Sequence, residues 1–352
     1  MGKDINEELK EKIKKDYDDF VKYLDEIANN FLGTDIDKEI GSSKKSLVFE
    51  NDIMELYSYE GEKRIPLLIV TPLINGYYIL DLLPEISFTK FLIENGISPY
   101  IIKWKNIKEY DEKYTLDYYV LNGVKNAVDF VFENEKKDII LLGHCLGGVL
   151  TSLYLSCFNN EKVLKYISMN SPYDFSKMGI VSSLTSSEII DIDKLVDSLG
   201  NIPADYQTLS FQFINPAVRF KSLMGIFYNY RNKFFLRVYK ALLYWRDDNI
   251  DMPGEFARSL IKYFFQQNRF FNEELEFINK KVSLSNIKIP VLNVISQFDD
   301  IAPYPACDAL SNKVINVERI ILPNGHLAIV LMSMIGVDHK PYWEKIIEWI
   351  KK

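Results

Sequence analysis

The segment IILLGHCLGGVLTSLYL carries the pattern G-x-C-x-G-G, with Cys145 at its centre. An apolar run ends at Gly143 and a helical pattern begins near Gly147, so Cys145 falls on a strand-to-helix turn. A nucleophile on such a turn sits in a strained backbone. Side chains two residues either side would collide with the neighbouring chain, which explains glycine there. A helix N-terminus behind the sulfur favours a thiolate and, later, an oxyanion. The bland alternative is a buried cysteine on a glycine-rich turn. The strand before and the helix after favour the reactive reading.

A nucleophile so placed is the elbow of α/β-hydrolases with Cys where Ser is usual, and it demands an acid and then a histidine later in the chain. Of the three histidines, His326 in LPNGHLAI directly follows the last predicted strand, where a base belongs. His144 adjoins the nucleophile and is expected to point away from the reacting face. His339, in VDHKPYW, is expected to be solvated or capping. The acid is expected after the preceding strand, in VISQFDDIAPY. Asp299 and Asp300 both qualify; one can cap the following helix while the other orients the base. Spacing alone leaves that choice open. The oxyanion hole needs two backbone N–H groups. Leu146, after the nucleophile, is one candidate, and Ile74 or Asn75, after the strand IPLLIVTP, supplies the other. No metal or cofactor site is expected.

These residues need a scaffold. KSLVFEN and IMELYSYEG read as two early strands joined near Asn51-Asp52. Short apolar runs follow at 65–72, 98–104, 137–144, 163–172, 289–296 and 317–325, with helices between them at 86–96, 115–134, 147–158, 302–312 and 341–351. Near-continuous apolar runs separated by helices indicate a mostly parallel sheet covered on both faces, an α/β class. Over 100 residues separate the strand ending near 172 from that starting at 289. One crossover does not need them, so they read as a helical cap over the carboxyl edge of the sheet, where such sheets bind ligands. The expected division is 1–44 as an N-terminal helical segment, 45–175 with 285–352 as the core, and 176–284 as the cap. Residues 7–32 place Leu9, Ile13, Tyr17, Phe20, Leu24, Ile27, Ala28 and Phe31 on one helical face. A helix packed on the domain surface is the first reading and a docking helix the second.

The bulk properties narrow the classes. The chain has 352 residues, with 42 Lys plus Arg against 49 Asp plus Glu, a net charge of −7. An acidic chain is a poor general nucleic-acid binder. Three cysteines do not make a disulfide framework, and a reducing, cytoplasmic setting fits better. No run of 18 apolar residues predicts a membrane span, and MGKDINEELKEKIKKD lacks an apolar signal core. Gly2 is not expected to be myristoylated, because Asn6 stands where Ser or Thr is needed.

Several segments together carry a family resemblance from about 65 to about 331. The chain resembles a polyhydroxyalkanoate synthase in TPLINGYYILDLLPE (71–85), GHCLGG (143–148), MNSPYDFSKMG (169–179), YWRDDNIDMPGEFARSLIKYFFQQN (244–268), SQFDDIAPY (296–304) and GHLAIV (325–330). Dienelactone hydrolases share the elbow but are shorter and lack a long cap. The resemblance implies that Cys145 carries the acyl group, that His326 is the base and that Asp299, rather than Asp300, is the acid. It departs from the family where a His commonly follows that Asp and Asp300 stands here, and where Gly76 replaces a larger basic or polar residue.

The implied reaction polymerises 3-hydroxyacyl-CoA, short-chain such as 3-hydroxybutyryl-CoA, with release of CoA. The length resembles the short classes, which implies a second, different accessory subunit, a homodimer and a place at the surface of polymer granules. The alternatives are a cysteine-dependent thioesterase, lactone hydrolase or polyester depolymerase, and a non-enzymatic granule or partner module. In the cap, Phe211, Phe213, Phe220, Phe227, Tyr228, Tyr230, Phe234, Phe235, Tyr239, Tyr244 and Trp245 are candidates for excluding water, though ordinary packing explains any single one. Arg219, Lys221, Arg231, Lys233, Arg237 and Lys240 could meet CoA phosphates or a partner, or form a solvated face.

Overall fold

The computed structural model describes residues 5–33, 36, 39–61, 65–158, 161–214 and 224–352. Its eight-stranded sheet is built from β1 (Lys45–Glu50), β2 (Met54–Tyr59), β3 (Ile65–Val70), β4 (Ile97–Trp104), β5 (Ile139–His144), β6 (Val163–Met169), β9 (Val291–Ser296) and β10 (Val317–Leu322). A two-residue hairpin, β7 (Glu276–Phe277) with β8 (Lys280–Lys281), stands apart. The order is β1-β2-β4-β3-β5-β6-β9-β10. β2 is antiparallel to both its neighbours, and every pairing from β4 to β10 is parallel. This is the α/β-hydrolase architecture. Strand order reverses between β3 and β5, and the loops beyond their carboxyl ends flank the crevice such a reversal opens.

The apolar runs follow from burial on both faces. Leu67 and Ile69 of β3 join one core with Phe88, Leu92, Trp343 and Ile346. Leu68 and Val70 join the other, with Val128, Val131, Val149 and Leu153. The first two strands turn where Asn51 Oδ1 accepts from the N–H groups of Ile53 and Met54, both at 3.0 Å.

Several elements differ in detail from the sequence reading. The run at 115–134 is a short helix Leu116–Tyr118, a π-helical stretch Tyr119–Lys125 and a helix Asn126–Glu135. Gly123 in that stretch makes room for Trp104, whose ring atoms would lie 2.6 Å from an added Cβ. Trp104 can therefore donate from Nε1 to the Thr71 carbonyl at 2.9 Å, fixing the end of β3. The run at 302–312 is a short helix Tyr304–Asp308 and a 3₁₀ turn Ala309–Asn312.

Between β6 and β9 lie the helices Ile180–Leu184, Ile192–Leu199, Ala204–Ile214, Lys233–Asp247 and Gly254–Ser259. This insertion meets the loops beyond β3 and β4. Asn75 and Asn249 form an antiparallel bridge, Asn201 Nδ2 donates to the Ile107 carbonyl at 2.8 Å, and Lys108 pairs with Asp251 at 3.1 Å. The N-terminal helix, Ile5–Leu32, leans on the insertion by its second half. Tyr23 donates to the Phe227 carbonyl at 2.8 Å and stacks edge-on with Tyr230. Tyr17 and Phe20, on the expected apolar face, are exposed. Gly2 lies outside the described residues, as do the side chains of Leu9 and Ile13.

Candidate active site

Cys145 follows β5 and caps the helix Leu146–Cys157 with φ 52° and ψ −124°. That left-handed backbone costs an L-residue on the order of 1–3 kcal/mol and persists only where neighbours over-determine it. They do so here. The Cys145 N–H donates to the Met169 carbonyl of β6 at 2.9 Å. The glycines let the helix start enter the sheet edge. A Cβ on Gly147 would lie 2.1 Å from the Val70 carbonyl oxygen, one on Gly143 2.4 Å from the Cα of Gly148, and one on Gly148 1.9 Å from Ser171 Oγ. Cys145 is half-buried, whereas Cys157 and Cys307 are buried. Burial pushes the Cys157 thiol up to about 12.

His326 lies in the loop beyond β10. Its Nδ1 donates to Asp299 Oδ2 at 2.6 Å, and the Asp299 side chain is wholly buried. The other oxygen, Oδ1, accepts from the N–H groups of Ile301 and Ala302, each at 2.8 Å. One aspartate thus orders its own loop and orients the imidazole. Asp300 is exposed. The helix at Tyr304 begins after Pro303 without a side-chain cap, so the expected split of capping and orienting between the two aspartates does not occur. Burial works against a charged His326, but the Asp299 carboxylate and the Cys145 sulfur outweigh it and hold its pKa well above the ordinary value. Both causes place Cys145 and Asp299 beside the same ring.

The other two histidines depart from expectation. His144 does not turn away: its ring centroid lies 5.7 Å from that of His326. Neither of its ring nitrogens has a partner, and burial lowers its pKa to about 3, so it is a neutral packing group. His339 is buried rather than solvated and stacks on Trp343 at 3.8 Å; it precedes the helix Lys340–Lys351 but makes no side-chain cap.

The sequence reading missed Asn170. It follows β6 with φ 47° and is fully buried. Its Nδ2 donates to the His326 carbonyl at 2.6 Å, and its Oδ1 accepts from the Ser296 N–H at 2.8 Å. It therefore ties the loop that carries His326 to the end of β9. The only available signal was an asparagine where a strand stops, a residue type that tolerates the left-handed region.

The oxyanion candidates occupy two places. Leu146 is the first residue of the helix that Cys145 caps, where backbone N–H groups have no intrahelical acceptor. Ile74 and Asn75 lie opposite the insertion: the Ile74 carbonyl accepts from the Ile250 N–H at 2.9 Å, and the Gly76 N–H donates to the Asp248 carbonyl at 2.8 Å. Among the described residues no His, Cys, Asp and Glu cluster could hold a metal ion.

The insertion's aromatic and basic side chains are largely engaged elsewhere. Phe227 and Tyr230 meet Tyr23, Phe235 stacks on Tyr239, and Tyr228 and Tyr244 are exposed. Arg231 pairs with Glu26, and Arg237 with Glu39 and Glu85. Arg219, Phe220 and Lys221, and the side chains of Phe211 and Phe213, lie outside the described residues. No helix among the described residues is long and apolar enough to cross a membrane.

Comparison with known proteins adds the family context. The family model for the N-terminus of poly-beta-hydroxybutyrate polymerase (PhaC) matches residues 7–92, and that for the alpha/beta hydrolase fold matches 130–331. The chain is similar to proteins named poly(3-hydroxyalkanoate) polymerase subunit PhaC. That of Haloferax mediterranei is 29% identical over 88% of the chain, which spans 64% of the relative. That of Haloarcula marismortui is 30% identical over 88% of the chain and 68% of the relative. That of Synechocystis is 29% identical over 98% of the chain and 94% of the relative. Among solved structures, a monoacylglycerol lipase of Paleococcus ferrophilus covers 84% of the chain and is covered over 98% of its own, with 13% identity and a TM-score of 0.53, a likeness of fold.

Proposed function

Because this chain belongs to the poly(3-hydroxyalkanoate) polymerase family, we propose that it polymerises 3-hydroxyacyl-CoA, with a short acyl chain such as 3-hydroxybutyryl-CoA, and releases CoA through an acyl-Cys145 intermediate. One observation carries the reading: a half-buried cysteine on a strained helix-start turn beside His326, which is paired at 2.6 Å with a buried Asp299.

The Cys145 thiol gives its proton to the free ring nitrogen of His326, and the sulfur attacks the thioester carbonyl carbon. The oxyanion that forms is held by backbone N–H groups of Leu146 and of Ile74 or Asn75. Its collapse breaks the bond to the CoA sulfur, which leaves with the proton from His326. Thiol–thioester exchange is close to isoenergetic, so cysteine suits an acyl carrier whose acceptor is not water. A hydroxyl of a second hydroxyacyl unit then gives its proton to His326 and attacks the acyl-Cys145 carbonyl. An ester forms, and the Cys145 sulfur leaves and recovers the proton. Asp299 keeps the imidazole in the required tautomer throughout. The insertion between β6 and β9 serves as the cap that limits water, which would otherwise end the chain as a free acid.

The relatives are named as subunits, which supports a second, different polypeptide; a homodimeric state and work at the surface of the growing polyester belong to the same proposal. The test is incubation with 3-hydroxybutyryl-CoA, with and without that second polypeptide, following CoA and the acyl group together. Insoluble polymer with CoA release supports the proposal. Free hydroxy acid with CoA release would make the chain a hydrolase instead. Cys145→Ala should abolish both acylation and polymer, and substantial polymer from that variant would sink the mechanism.

A further inference from the structure

The insertion holds the loop beyond β3 through both backbone and side-chain hydrogen bonds. Across the bridge of Asn75 with Asn249, Ile250 N–H donates to the Ile74 carbonyl and Gly76 N–H to the Asp248 carbonyl. Side chains add to it. Trp245 Nε1 donates to the Gly76 carbonyl at 2.7 Å, Tyr78 donates to Asp248 Oδ2 at 2.9 Å, and Asn75 Nδ2 donates to Asn249 Oδ1. Asn249 in turn donates from Nδ2 to Thr208 Oγ1, on the helix Ala204–Ile214. An added Cβ on Gly76 would lie 2.6 Å from Asp248 Oδ2 and 2.5 Å from the Tyr78 ring, so the ends of both side chains would have to shift.

This ladder has a directional consequence. In an antiparallel pair of this kind the opposed residues turn their own N–H and C=O groups away from each other. The bridge therefore aims the Asn75 N–H away from the insertion, where it takes no acceptor from the facing segment. The start of this loop is the stretch against which the nucleophile helix packs, since Gly147 lies against the Val70 and Thr71 carbonyls. We infer that Asn249 and Trp245 are positioning residues for the oxyanion donor, so that the insertion must be seated on the loop for Cys145 to be acylated. The inference rests on the proposal that Cys145 takes the acyl group. It makes cap seating and oxyanion competence one event.

The test compares Asn249→Ala and Trp245→Phe with the unaltered full chain and with Thr208→Val, which removes the outer hydrogen bond from Asn249 together with the Thr208 bond to the Ala204 carbonyl inside its own helix. Acylation by 3-hydroxybutyryl-CoA needs the oxyanion donor; alkylation of Cys145 by iodoacetamide does not. A donor displaced by about 1 Å should lower kcat about 10- to 100-fold, with alkylation unchanged within about twofold. Thr208→Val should fall between these variants and the unaltered chain. Trp245→Phe keeps the ring in place, so it guards against loss of fold in the alanine variant. Unchanged acylation in both variants, or alkylation falling in parallel with acylation, would overturn the inference. If iodoacetamide modifies Cys145 in the unaltered chain without stopping CoA release, the acyl-Cys145 reading fails instead, and the two failures are told apart.

Discussion

Replacing Asp299 by asparagine isolates the orienting charge from the fold around it. The Oδ1 position accepts two backbone N–H groups at 2.8 Å, from Ile301 and Ala302, and a side-chain amide oxygen can keep both. The amide nitrogen then takes the Oδ2 place, 2.6 Å from His326 Nδ1. An amide nitrogen only donates, so the imidazole must present its Nδ1 lone pair and carry its proton on Nε2. The nitrogen left to face Cys145 is then a donor and cannot take the thiol proton. Loss of function by the wrong tautomer is expected to reach about 10⁴-fold in CoA release, or about 5.5 kcal/mol in the barrier. Stability should change by only about 1 kcal/mol, because one of three hydrogen bonds to the carboxylate is altered. Without the carboxylate the His326 pKa should also drop from its raised position, which an imidazole NMR titration reads directly. Asp300→Asn should leave both readouts unchanged, since Asp300 is exposed. A loss of less than about tenfold in Asp299→Asn, or an equal loss in Asp300→Asn, would refute the reasoning.

Three further substitutions probe the surroundings. Gly147→Ala sets a Cβ 2.1 Å from the Val70 carbonyl oxygen, backbone against backbone, so the unfolding midpoint should fall by the equivalent of about 1–3 kcal/mol and CoA release should fall with it; an unshifted midpoint in a denaturant titration would count against the close approach. Asn170→Gly keeps the positive φ without strain while removing the bonds to His326 and Ser296, so it should cost about 1–3 kcal/mol and slow turnover more than it raises KM; full activity would deny Asn170 any part in placing the base. His144→Leu should resist acid better than the unaltered chain: the unfolded state binds a proton near 6.5 and the folded state only near 3, so His144 withdraws stability as pH falls through that interval. His326 is shifted the other way, its contribution is complete below 6.5, and it does not confuse the comparison of urea midpoints at pH 6.5 and 4. An identical loss on acidification in both proteins would refute the assignment of His144 as buried and neutral.

The strands were legible because burial on both faces makes each of them an apolar run that ends at a turn signal, as in IPLLIVTP and KDIILLGH. The elbow was legible for a different reason. Three glycines around one cysteine are needed only where a helix start presses on a strand end, and each of the three would clash. His326 and Asp299 were candidates because chain order restricts a base and its acid to two loops, and the structure pairs the two side chains at 2.6 Å. The choice against Asp300 needed either the family resemblance or the burial. Asn170 stayed hidden because its work is done by a side-chain amide between two loops over 120 residues away in sequence, and no local pattern records that. His144 misled because alternation along β5 gives its face but not the depth of its neighbours. The pairing of Asn249 with Asn75, 174 residues apart, was equally invisible.

The two strained residues explain how such distant segments come to one place. Cys145 and Asn170 each follow the last residue of a strand, β5 and β6, and these strands are neighbours. Both adopt positive φ, 52° and 47°. Each uses its N–H to reach the next strand along: Cys145 donates to the Met169 carbonyl of β6, and Asn170 to the Val294 carbonyl of β9, both at 2.9 Å. One step further, the Gln297 N–H donates to the Leu322 carbonyl of β10 at 2.8 Å. The carboxyl edge of the sheet is therefore closed by a relay of backbone bonds running β5 to β6 to β9 to β10. Cys145, Asn170, Asp299 and His326 stand along that relay in spatial order. A left-handed residue is expensive in isolation, but each one here turns the chain sharply enough to free its side chain while its N–H stays bonded to the sheet. The sheet's hydrogen bonding, which would have formed in any case, thus holds the strain that aims the side chains. A substitution that relaxes either turn should lose catalysis before it loses the fold.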